Sequence, residues 1–99
     1  DGLYPVAGFL VEVKDGICRY QGTLAGSVIT LDRAVRNMRR FLGIRPEQAL
    51  RMATLNTAEL LGIASRKGRL AAGADADLVV LDSELRVQAV YARGLPVPR

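Results

Sequence analysis

Ala53-Thr54-Leu55-Asn56-Thr57-Ala58, then Leu60-Leu61-Gly62-Ile63, then Lys67-Gly68-Arg69-Leu70-Ala71-Ala72-Gly73-Ala74-Asp75-Ala76-Asp77-Leu78-Val79-Val80-Leu81-Asp82 is the stretch that decides the fold. Its first part favours helix: Thr57 can cap a short helix over Ala58 to Leu61, and Gly62 supplies a helix stop. Gly68 and Gly73 punctuate a turn-rich connection, with the junction between two structural layers expected around Arg66 to Gly73. The last seven residues, Ala76 to Asp82, form an apolar run bracketed by carboxylates and predict a strand. The stretch as a whole describes a chain leaving a helical layer and entering a sheet.

Working outward, Arg86 to Arg93 predicts a second strand, ended by Gly94 and Pro96. Upstream, Pro46 at a first helical position, with Glu47 and Gln48 behind it, starts a helix running to about Leu55 that buries Ala49, Leu50, Met52 and Ala53. Before it, Leu31, Val35, Met38 and Leu42 fall at helical spacing, and Ala34 and Phe41 widen the stripe. Thr30 suits the N-cap of this helix, Asp32 its first turn, Arg39 and Arg40 its last, and Gly43 its stop. Gly43 to Arg45 is so short that the two helices should pack as neighbours.

The N-terminal third has a different period. From Val6 to Tyr20, two β-prone runs flank Asp15-Gly16, a dipeptide that favours a type I′ turn, so a hairpin is expected. Phe9, Val11 and Val13 give it one apolar face. Gln21 to Ser27 carries Gly22 and Gly26 around Thr23, Leu24 and Ala25; it fits neither period and predicts a loop that something can approach closely.

Composition bounds the chemistry. The chain has 99 residues, 49% of them hydrophobic and 24% charged, which suits one small globular unit. It opens on Asp1-Gly2-Leu3 without a charged-then-apolar leader, the opening expected of a piece of something longer. No apolar run approaches the roughly 20 residues of a membrane span. The single Cys18 cannot close an internal disulfide, so a cytoplasmic setting is expected. The net charge of +4 leaves Arg33, Arg36, Arg39 and Arg40 clustered on one helix, which fits a solvated face better than a nucleic-acid or phosphate site. Histidine is absent. That removes most zinc and triad chemistry, because zinc sites draw on His and Cys and Ser or Cys nucleophiles need a base.

The segment Ala53 to Asp82 resembles the closing signature of the metal-dependent amidohydrolase superfamily, with Thr57 where many relatives have proline. Within that superfamily, Gly22-Thr23-Leu24-Ala25-Gly26-Ser27, followed by Thr30, Asp32 and Ala34-Val35-Arg36-Asn37, is similar to the loop and helix of N-acetylglucosamine-6-phosphate deacetylases. The resemblance implies an α+β fragment, comprising the last helices of a (β/α)8 TIM barrel, a β-hairpin, and C-terminal strands of a small β-sandwich domain. Residues 1–65 would close the barrel and residues 66–99 would supply the sandwich strands.

The resemblance also implies that Leu24, Ala25 and Gly26 line the amino-sugar phosphate substrate. A divalent metal of the zinc or iron type, its ligands and the catalytic aspartate would lie outside this chain. The expected partners are the rest of the same enzyme and a second copy in a homodimer, with neither nucleic acid nor membrane. No catalytic residue and no metal ligand is expected among residues 1–99. Asp1, Asp75, Asp77 and Asp82 have turn or strand-flanking positions, and Cys18 suits a small, partly buried apolar role. Two alternatives remain: another amidohydrolase of the dihydroorotase or cyclic-amide type, and a basic non-enzymatic binding module.

Overall fold

The computed structural model describes residues 1–98. It divides into two compact units, Asp1–Thr30 and the chain from Leu31 onward. The architecture is α+β: a four-stranded sheet, three helices and a three-stranded sheet in that chain order.

The first unit is an antiparallel meander of β1 (Gly2–Val6), β2 (Phe9–Lys14), β3 (Ile17–Tyr20) and β4 (Thr23–Gly26), paired in sequence order. The expected hairpin is its centre, β2–β3, with Val13 opposite Cys18 and Lys14 opposite Ile17. The Asp15-Gly16 turn has φ of 51° and 72°, the two positive values that a type I′ turn requires. Ala7-Gly8 (48° and 84°) and Gln21-Gly22 (49° and 80°) repeat this geometry. Those two turns add the outer strands that composition alone obscured. Pro5 lowers the strand signal of β1, yet it sits on an edge, where a missing N–H costs no ladder bond.

The second unit begins with α1 (Leu31–Leu42), α2 (Pro46–Ala53) and α3 (Leu55–Leu60). Helix α1 has the predicted span, and Gly43, at φ 62°, donates its N–H to the Arg39 carbonyl at 3.0 Å to close the end. Helix α2 starts at Pro46, and the Gln48 side chain accepts the Arg45 N–H at 3.0 Å. Helix α3 starts earlier than expected. Ala58 N–H already bonds the Thr54 carbonyl at 3.0 Å, so the helical turn begins at Thr54. Thr57 therefore lies inside the helix, and its hydroxyl donates to the Met52 carbonyl at 3.1 Å instead of capping.

Strands β5 (Leu78–Leu81), β6 (Val87–Ala92) and β7 (Leu95–Pro96) complete the unit in the order β5-β6-β7. β5 is shorter than Ala76 to Asp82 because Asp77 N–H turns back to the Asp75 carbonyl at 2.9 Å. Gly94 does end β6, but Pro96 does not end the sheet. Arg93-Gly94, at φ 49° and 80°, forms another hairpin turn, and Pro96 pairs opposite Tyr91 in an edge strand.

Val35, Ala49 and Leu85 form the core of the second unit, with Ile44, Leu50, Ala53 and Leu81 packed against them. This joins α1 to α2, as the short connection requires, and both to the turn between β5 and β6. Burying a side chain such as Val35 contributes about 1.5–3 kcal/mol. The predicted stripes are only partly covered: Leu31, Phe41, Leu42 and Met52 are exposed, and Met52 does not join Ala49, Leu50 and Ala53 inside.

Candidate functional site

Leu24, Ala25 and Gly26, predicted in a loop, lie on β4, an edge strand. The failed periodicity has a local cause. Tyr20 faces Thr23 and Arg19 faces Leu24, but Cys18 faces Gly26, so the register shifts between Cys18 and Arg19. Ala25 is the extra residue of a bulge, which re-aims the strand and returns Gly26 to the face of Cys18 and Val13. All three residues are exposed, and Leu24 retains 73% of its surface. The structure thus brings the three predicted residues together at one open strand edge.

Gly26 differs from every other glycine. The other nine have positive φ, eight of them in turns, bends or helix stops and Gly2 at 143° at the start of β1, whereas Gly26 does not. A Cβ added to it would meet nothing within 4 Å. Neither backbone conformation nor packing inside this chain calls for glycine at this position. Such a position suits the close approach of another body to the strand.

The carboxylates weighed above have structural partners. Asp1 accepts the Asp15 N–H at 3.1 Å. Lys67 pairs with Asp75 at 2.8 Å and with Asp77 in a closer contact, while Arg66 reaches Asp75 at 3.2 Å. Asp77 also accepts the Arg93 N–H at 2.9 Å, and Gly94 N–H bonds the Ala76 carbonyl at 2.8 Å. These bonds staple the connection before β5 to the β6–β7 turn. The Lys67 hydrogen bonds hold the Asp75 and Asp77 carboxyls below their ordinary value and raise the Lys67 ammonium above its own, against a desolvation that opposes each shift.

Asp82 closes the β5–β6 turn, accepting the N–H groups of Glu84 and Arg86 at 2.9 Å each. The Arg86 N–H is the first cause of its lowered pKa. Asp75, Asp77 and Asp82 are thus held below their ordinary value by donors of the fold itself, which gives each a structural role in joining its strand or turn.

Sequence reasoning missed the role of Arg36. It leaves the wet face shared by Arg33, Arg39 and Arg40, is half-buried, pairs with Asp32 at 2.8 Å and donates to the Leu85 carbonyl at 2.9 Å. Leu85 is itself a buried non-glycine residue at φ 62°. The clamp therefore fixes a strained turn to α1.

Cys18 is half-buried. Among the described residues, no group of three or more His, Cys, Asp or Glu could hold a metal ion, so the donors present do not fit a divalent metal centre. Among them too, no helix is long and apolar enough to cross a membrane.

Comparison with known proteins places the chain among deacetylase relatives in sequence and fold. An N-acetylglucosamine-6-phosphate deacetylase from Danio rerio is 49% identical over 77 residues, covering 78% of this chain and 19% of its own. An N-acetylgalactosamine-6-phosphate deacetylase from Escherichia coli O157:H7 is 41% identical over 95 residues, covering 95% of this chain and 25% of its own. The crystal structure of N-acetylglucosamine-6-phosphate deacetylase from Thermotoga maritima superposes with a TM-score of 0.86 at 38% identity, over 100% of this chain and 27% of that one. The chain spans 57% of the length of one curated relative and a quarter or less of the others compared. Residues 11–97 match the amidohydrolase family, and the chain belongs to that family.

Proposed function

We propose that this chain is the C-terminal part of an N-acetylglucosamine-6-phosphate deacetylase, which hydrolyses N-acetyl-D-glucosamine 6-phosphate to D-glucosamine 6-phosphate and acetate. The observation that carries the reading is Gly26, a glycine that the chain's own conformation and packing do not need, at a bulged and open strand edge. Strand β4 supplies what a sugar-facing wall uses: backbone groups on a free edge, the apolar Leu24, and room at Gly26 for a close approach. In the whole enzyme, residues 1–65 close the TIM barrel and residues 66–99 supply the small β-sandwich. The divalent metal, of zinc or iron type, and the proton-transferring aspartate belong to the remainder, and the enzyme acts as a cytoplasmic homodimer.

The test places Gly26→Val in the full-length enzyme that contains this segment. A substrate-facing Gly26 predicts a KM for the amino-sugar phosphate raised on the order of tenfold or more, with thermal stability unchanged. Unchanged turnover would remove the substrate assignment. The isolated chain should release no acetate from the substrate with or without added metal, and metal-dependent release by it would overturn the division of labour.

A second reading keeps the chemistry and changes the sugar to the galacto epimer, N-acetylgalactosamine 6-phosphate. It is favoured by the 41% identity over 95 residues to the Escherichia coli deacetylase of that substrate. Comparing kcat/KM for the two epimers in the full-length enzyme decides between them.

A further inference from the structure

We draw no further inference here: the strongest candidate, the apolar groove lined by Leu50, Leu55, Leu61, Ile63, Leu78 and Val79 between α2, α3 and β5, is an unpartnered face, and nothing in the structure shows what covers it.

Discussion

A Cβ placed on Gly68 would lie 2.8 Å from the Ala58 Cβ and 2.9 Å from the Thr54 carbonyl oxygen, at a φ of 81° that L side chains rarely adopt. Two penalties coincide there, a left-handed backbone and a clash with atoms held by α3. Gly68→Ala should therefore destabilise the second unit by about 2 kcal/mol or more. A shift of the urea midpoint followed by helix circular dichroism reads this out, and an unchanged midpoint would show that the connection can move away from α3. Gly26→Ala makes the control. It introduces a methyl group into open space at an ordinary φ, so the same measurement should stay within about 0.5 kcal/mol. Both glycines look alike in the sequence. Only their surroundings separate the one that packing requires from the one that it does not.

The same distinction explains what was legible at the scale of elements. The span of α1 and the Asp15-Gly16 hairpin turn follow from periodicity and turn chemistry, because Leu31, Val35 and Phe9, Val11, Val13 repeat at the spacings of their elements. The hairpin begins at Phe9 and not at Val6, because Val6 ends β1 and Ala7-Gly8 turns the chain. Strand β4 did not follow. Its bulge at Ala25 spoils the alternation that would have announced a strand, and the positive φ pair at Gln21-Gly22 is not a dipeptide with a strong hairpin preference. Leu24, Ala25 and Gly26 are singled out by the family resemblance alone, and their residue types give only a turn.

Arg36 escaped notice because the arginines of α1 look alike until the β5–β6 turn is folded beside one of them. Arg36→Met removes the hydrogen bond to Leu85 and the pair with Asp32 while keeping the aliphatic stem. The expected loss is about 1–2 kcal/mol, discounted for partial exposure, in the urea midpoint of the second unit. Arg33→Met, on an exposed position of the same helix, should change it by less than about 0.5 kcal/mol. Equal effects from the two would remove the clamp.

The Lys67, Asp75 and Asp77 staple gives the second unit a pH signature with a definite sign. Lowered carboxyl pKa values mean that the unfolded chain binds more protons in acid, so stability is fully present above the ordinary carboxylate value of 3.8 and is lost as pH falls through the lower folded values. A raised Lys67 pKa means that its contribution is complete below 10.5 and is lost as pH rises through the folded value. Between these limits the staple predicts a flat profile. Lys67→Met should weaken the acid dependence, because Asp75 and Asp77 then lose the donor that is the first cause of their shifts. Urea titrations at several pH values, compared with the parent chain, measure this directly, and identical slopes in acid would mean that the ion pairs do not persist in solution.

Across the whole chain the described residues bury few apolar side chains for a sequence that is 49% hydrophobic. Among residues 1–30 only Val11 is buried, while Leu3, Val6, Phe9, Leu10 and Leu24 each keep more than half of their surface exposed. The second unit holds Val35, Ala49, Ala58 and Leu85 inside, but leaves Leu60 and Leu70 at 86% and 82% exposure. Large apolar side chains left open in this number within each unit are what a domain shows where further chain covers it. That agrees with the fraction of its relatives' length the chain represents. A meander with one buried residue has little to oppose the entropy of ordering its strands, whereas α1 and α2 share a packed core. The two units of the isolated chain should therefore differ in protection. Amide hydrogens of β1 to β4 should exchange at least about tenfold faster than those in the middle of α1 and α2, as measured by mass spectrometry on peptides from each unit. In a full-length protein whose further chain covers the surface the strands leave open, the strands should gain protection more than the helices do. Equal protection of both units in the isolated chain would show instead that the meander is stable on its own and that its exposed leucines and Phe9 do not need a covering partner.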